Sequence, residues 1–365
     1  MRAAVIRERS GPFAVEELRD PEPRTGEVLI DVAACGVCHT DLHVHDGSVP
    51  FPLPCVLGHE VSGTIAGLGD GVDDLSVGQR VVGAFIMPCG SCDMCRSGRE
   101  ELCEPFFAHN RLSGTLYDGE TRLYDGAGEP VWMYSMGGLS EQAVIPARGV
   151  TPLPPQLALT DSAILGCALM TAYGAATQVA RLEPGEAVAV FGAGGVGGSI
   201  IQIARALGAS PIVAIDVQDD KLALARELGA TDTVNAADAD PVAITREVTG
   251  GRGVDVAFEA IGHPRTFRQA TEAAADGGRC VMVGIAQVGL TAEVEITRLV
   301  RRKLQVLGSF GGRPRHDLAA LMDLTLRGEL RLDAAIGQRF TLDQATEAYS
   351  LLANGQINGR AIIEM

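Results

Sequence analysis

Basic residues are scarce in this chain: Lys and Arg total 30 against 46 Asp and Glu, a formal net charge of -16 at pH 7. With no cationic excess to neutralise phosphates, nucleic acid is excluded as a partner, and the acidity serves solubility. Long apolar runs are missing too, so no membrane-spanning segment is expected. The stretch Met1-Arg2-Ala3-Ala4-Val5-Ile6-Arg7-Glu8-Arg9 carries charges where a secretory signal needs its apolar segment, and the expected location is the cytoplasm. Disulfides are not expected. The nine cysteines fall mostly at short spacings in a large chain of intracellular character, a pattern that suits metal binding.

What remains is an ordinary globular composition, 46% hydrophobic and 21% charged over 365 residues, with 45 glycines for tight turns. That length predicts two domains, each with its own core.

Two short stretches carry the chemistry of the first half. Gly36-Val37-Cys38-His39-Thr40-Asp41-Leu42-His43 and Gly58-His59-Glu60 supply a thiolate, an imidazole and supporting acids, a set able to hold zinc with one position open. A catalytic zinc normally takes three protein ligands, which draws in Cys167, otherwise read as a small core residue. Cys89, Cys92, Cys95 and Cys103 stand at C-x2-C-x2-C-x7-C. Four thiolates so spaced can close a tetrahedron with no room for substrate, so a structural zinc lobe is expected over 89-103; an iron–sulfur cluster is the competing reading. Cys35, Cys55 and Cys280 are assigned to the core.

Residues 1 to about 82 read as short strands and turns, among them Val28 to Ala34 and Glu60 to Ala66. The polar segment 105-138 reads as a long loop. From Cys167 to about Arg181 the pattern is helical. An apolar strand, Ala187 to Phe191, then enters Gly192-Ala193-Gly194-Gly195-Val196-Gly197 and a helix, which is G-x-G-x-x-G in its confirming context. The glycines, with Val196, let the backbone approach a pyrophosphate at the helix start. The next strand ends at Asp216, whose carboxylate suits an adenosine ribose and would repel a 2′-phosphate, so NAD is expected over NADP. Strands and helices continue to alternate through Leu307, giving a doubly wound parallel sheet.

Taken together, these motifs resemble the zinc-dependent alcohol dehydrogenases of the medium-chain dehydrogenase/reductase superfamily, in the family's order and over nearly the whole chain, down to Phe310-Gly311-Gly312. The resemblance implies an α/β protein with a GroES-like, β-rich catalytic domain over 1-168, a Rossmann NAD-binding domain over 169-309, and a part over 310-365 that returns to the catalytic domain. The cleft is then expected at the domain boundary. It implies Cys38, His59 and Cys167 as catalytic zinc ligands, Cys89, Cys92, Cys95 and Cys103 as structural ones, and Asp41 and Glu60 as acids supporting the metal. Thr40 matches the hydroxyl that bonds the substrate oxygen, and His43 a proton-relay histidine. His39, Thr171, Lys221, Val283, Ile285 and Arg360 match cofactor positions. Phe85, Ile285, Val49 and Tyr134 match the substrate pocket.

The implied reaction is reversible, NAD-linked oxidation of primary, aromatic or secondary alcohols, with Thr40 taking the proton and His43 passing it to solvent. Two neighbouring branches fit the same motifs: glutathione-dependent formaldehyde dehydrogenase, and an alcohol:acceptor oxidoreductase that keeps its NAD bound. A non-catalytic scaffold is the reading of a different class, and the intact set Cys38, Thr40, His59 and Cys167 argues against it. Relatives of this kind are dimers or tetramers, so a homo-oligomer is implied.

Overall fold

Alternating burial along Val28, Ile30, Val32 and Ala34, with Asp31 turned outward, marks a strand with one face on a core. In the computed structural model, which describes residues 1–365, this strand extends over Glu27–Val37 and is the spine of a seven-stranded sheet. It pairs antiparallel with Val61–Leu68, Gln142–Pro146 and the carboxy-terminal strand Arg360–Glu364. The register Ile363 to Cys35, Ile362 to Gly36 and Ala361 to Val37 fixes the end of the spine, from which Cys38 follows directly. A second, five-stranded sheet runs Ala14–Glu17, Arg2–Ile6, Cys55–Val56, Pro130–Met133, Leu123–Tyr124. These elements form one unit, Met1–Cys167 with Arg313–Leu326 and Ile336–Met365.

The other unit is Ala168–Gly312 with Arg327–Ala335. Its six strands are all parallel, in the order Asp232–Asn235, Ile212–Asp216, Val188–Phe191, Val254–Glu259, Ala274–Met282, Gln305–Gly308. Numbered along the chain this is 3-2-1-4-5-6, the doubly wound order. The central strand Val188–Phe191 is buried along its whole length, as a parallel strand covered on both faces must be.

Three readings of the sequence change. The carboxy-terminal return is interrupted, because Arg327–Ala335 packs with the second unit: Arg331 N–H donates to Gln202 Oε1 at 2.8 Å. Residues 105-138 are not structureless, since Phe106–Arg111 forms a π-helix and Leu123–Tyr124 and Pro130–Met133 form strands. One run, Asp161–Val179, is after all long and apolar enough to cross a membrane, but 72% of it is buried inside the protein, where its apolar side chains serve the core.

Candidate functional site

Cys38 occupies the N-cap position of the short helix His39–His45, so Thr40 lies inside the helix. Asp41 on that helix is fully buried, and its carboxylate accepts three hydrogen bonds. His59 Nδ1 lies 3.0 Å from Oδ1, Gly58 N–H donates to Oδ1 at 3.3 Å, and Tyr349 hydroxyl donates to Oδ2 at 2.7 Å. Gly58 must be glycine: its φ is +98°, and a Cβ there would stand 2.7 Å from both Cys35 Sγ and the Leu139 nitrogen.

With Nδ1 held by Asp41, the other imidazole nitrogen is directed elsewhere. His59 Nε2 is buried and has no hydrogen-bond partner. One ligand atom each from Cys38, His59, Glu60 and Cys167 lies within 4.8 Å of the others, and all four residues are buried. A buried polar atom with no partner is costly, and a metal accounts for it. Two sulfurs and one nitrogen suit zinc with an open position. Glu60 stands closer to this set than its expected supporting place: its Oε2 is buried and unpartnered, while Oε1 accepts from Arg360 Nη2 and lies 4.0 Å from His59 Nε2.

Protonation tells the same story. Cys38 is held well below the ordinary thiol range, because Cys167 hydrogen-bonds to it and His59 adds its positive charge. Cys167 is correspondingly raised by that bond and by burial. Burial pushes His59 down, but Asp41 and the Cys38 thiolate more than offset this and lift it to about 9. The protons on His59 and Cys167 are those a metal would displace.

The four-cysteine lobe also closes. Cys89, Cys92, Cys95 and Cys103 present their sulfurs within 4.8 Å of one another. Backbone N–H groups turn toward these sulfurs, as from Ser91 to Cys89 at 3.4 Å, Cys92 to Cys89 at 3.3 Å and Cys89 to Cys103 at 3.3 Å. Against burial, those donors bring Cys89 down to about 6. Such N–H donors suit thiolates holding a tetrahedral zinc with no open position.

In the second unit the glycine turn leads into the helix Gly195–Ala206. A Cβ on Gly197 would stand 1.7 Å from Gly192 oxygen, so only glycine permits this approach of helix to turn. Asp216 ends the adjacent strand, and its Oδ2 accepts from Ala193 N–H at 2.8 Å within the turn. Its Oδ1 accepts from Val217 N–H at 2.7 Å. The acid therefore shapes the turn as well as standing at its edge. Lys221 lies on the following helix, Asp219–Leu228, Thr171 on the helix Ala168–Gly174, and Val283 and Ile285 beyond the strand Ala274–Met282.

Of the remaining expected residues, Thr40 and His43 are half-buried and three apart on one helix face, whereas His39 is exposed. Phe85 and Tyr134 flank His59 edge-on, with ring centroids at 6.1 and 6.4 Å. Val49 follows the short helix, its N–H donating to His43 oxygen at 2.7 Å, while Ile285 in the other unit is 50% exposed. Arg360 is placed on Glu60 rather than freely extended. Sequence reasoning missed Tyr349, Arg111 and Phe51, whose ring meets Tyr134 edge-on with centroids 5.1 Å apart. Tyr349 lies 308 positions from its partner Asp41, and neither Phe51 nor Arg111 sits in a motif.

Comparison with known proteins places this geometry in a family. Residues 24–155 match the alcohol dehydrogenase GroES-like domain and residues 195–327 the zinc-binding dehydrogenase domain. The chain is 34% identical over 361 residues to an S-(hydroxymethyl)glutathione dehydrogenase of Synechocystis, covering 97% of each. Among solved structures it resembles benzyl alcohol dehydrogenase from Acinetobacter calcoaceticus, with TM-score 0.94, 32% identity, and 100% of this chain and 99% of that one covered. It also resembles a zinc-binding dehydrogenase from Sinorhizobium meliloti bound to NADP, with TM-score 0.83, 29% identity and coverage of 100% and 99%. The chain is thus an oxidoreductase that belongs to the zinc-dependent alcohol dehydrogenases of the medium-chain dehydrogenase/reductase superfamily.

Proposed function

We propose that this protein oxidises primary aromatic alcohols to aldehydes, reversibly and with NAD. The observation that carries this reading is the buried quartet Cys38, His59, Glu60 and Cys167, with an unpartnered imidazole nitrogen directed into it and Phe85 and Tyr134 flanking the imidazole. Zinc held by Cys38, His59 and Cys167 would supply Lewis acidity toward an alcohol oxygen, and the nicotinamide would supply the hydride acceptor.

The rest falls to the chain. Asp41 fixes His59 in the tautomer that presents Nε2 to the metal. Thr40 accepts the alcohol proton and His43, one turn on, exchanges it with solvent. The apolar wall excludes water and orients an aryl group beside the imidazole. Asp216 at the edge of the glycine turn favours a free ribose hydroxyl, which supports NAD against the NADP seen in the Sinorhizobium relative.

A second reading is oxidation of S-(hydroxymethyl)glutathione, supported by the curated relatives that bear that name and match 97% of the chain. The deciding experiment measures zinc per chain alongside NAD- and NADP-linked absorbance with benzyl alcohol, and with formaldehyde in the presence and absence of glutathione. Turnover of benzyl alcohol with about two zincs supports the first reading. Turnover that requires glutathione supports the second, and a zinc-loaded protein inert to both excludes each. We further propose that the protein is a homo-oligomer, supported by an edge strand and exposed apolar residues in the nucleotide-binding unit.

A further inference from the structure

The π-helix Phe106–Arg111 ends on a cation that the proposed chemistry leaves unused. π-Helical turns are rare and concentrate at functional sites. The Arg111 guanidinium carbon stands 4.1 Å from the centre of the Tyr134 ring, and 6.0 Å from both Phe85 and Phe106. Two of these rings are the ones that flank His59. Since Tyr134 lies 6.4 Å from the His59 ring, the guanidinium can be no farther from that imidazole than the two distances laid end to end.

No carboxylate of the protein neutralises this charge. Arg111 Nη1 is buried with no hydrogen-bond acceptor. Asp41 is already engaged by His59, Gly58 and Tyr349, and Glu60 by Arg360. Zinc would cancel the thiolates of Cys38 and Cys167. Aromatic faces offset a buried cation in part, but a guanidinium otherwise seeks an oxyanion to fill its fork.

Building on the alcohol dehydrogenase reading, we propose that Arg111 is a specificity-determining residue of the aromatic pocket and that the substrates it selects are aryl alcohols bearing a carboxylate. The hydroxymethyl group lies toward the metal set, the aryl ring against Phe85 and Tyr134, and the carboxylate on Arg111.

The test uses the zinc-loaded, full-length protein and matched ligands. Ratios of kcat/KM for 4-(hydroxymethyl)benzoate and 4-(hydroxymethyl)phenylacetate over neutral 4-methylbenzyl alcohol are compared in wild type, Arg111→Gln and Arg111→Lys. Removing one charged hydrogen-bond partner should lower the ratio about 10- to 100-fold in Arg111→Gln, with Arg111→Lys between. Binding of 4-methylbenzoate, which has the anion but no reacting hydroxyl, is followed by saturation-transfer NMR and should weaken in parallel. Equal ratios in wild type and Arg111→Gln would overturn the proposal. So would an Arg111→Gln protein that loses zinc while its ratio holds, which would make the arginine a counter-charge to the metal site. If no alcohol is turned over, the dehydrogenase reading fails, and the benzoate binding still decides whether Arg111 recognises the anion.

Discussion

Asp41 shows how much one side chain carries. It is the only acid on the short helix, fully buried, and it binds both His59 and Tyr349. Asp41→Asn keeps the shape and removes the charge, so the His59 tautomer is no longer fixed. Zinc affinity at the catalytic site should fall about 10- to 100-fold, read by competition with a chelator. Proton release gives an independent measure of the same site. At neutral pH the metal-free set has Cys38 as thiolate, with His59, lifted to about 9, and Cys167 both protonated. Zinc uptake by protein whose four-cysteine lobe is already filled should therefore release about two protons, and apparent affinity should strengthen as pH rises toward 9. Calorimetry in buffers of different ionisation enthalpy counts those protons. For folding without metal the two residues oppose each other. The contribution of His59 is complete below its ordinary 6.5 and lost as pH rises through about 9, whereas that of Cys38 is complete above 9.0 and lost as pH falls through its lowered value. Wherever the two ranges overlap the trends oppose each other, so the net pH dependence of stability from this pair should be weak there and emerge where only one of the two titrates.

At the scale of elements, the glycine turn and its following helix are the part most dependent on close packing. Gly197→Ala would set a Cβ 1.7 Å from Gly192 oxygen, and backbone atoms cannot yield to it as a flexible side chain would. The turn should open, and dinucleotide affinity should fall about tenfold or more, a loss near 1.4 kcal/mol, measurable by calorimetry while the metal sites stay filled. This turn was legible from the sequence because its signal is local: strand, glycines and helix follow within a few residues of each other. The metal ligands were legible for a similar reason, each lying in a short motif. Arg111 and Tyr349 were not, because nothing near them in the chain announces a partner that only folding brings close. The interruption of the carboxy-terminal return at Arg327–Ala335 escaped for the same reason, since a short helix and its flanks look alike whichever core they join. The run from Cys167 to about Arg181 reads as one helix in the sequence, whereas Ala168–Gly174 is α and Ala175–Val179 is π; small apolar residues set a helical tendency without fixing its pitch.

The whole molecule poses a question that neither site answers: what covers the far side of the nucleotide-binding sheet. Gln305–Gly308 is its last strand, with only Ala274–Met282 beside it, so one row of its backbone groups is left without a strand partner. Exposed edges of this kind invite pairing with another chain. The segment before it carries large apolar side chains on the surface, with Val288 90%, Ile296 77% and Val300 67% exposed. Exposed apolar residues in the segment that leads into an unpaired strand fit a two-fold interface, in which the same strand of a second copy continues the sheet and the apolar side chains cover one another. Sedimentation equilibrium should then give a mass that is a multiple of the 38.2 kDa chain. Val288→Glu combined with Ile296→Glu would place like charges across the two-fold axis and should return the mass to 38.2 kDa. Because neither residue belongs to a metal site or to the glycine turn, zinc content should hold in the separated chains. A wild-type protein that sediments as a single 38.2 kDa chain at micromolar concentration would mean that the edge strand is protected by its own flanking segment.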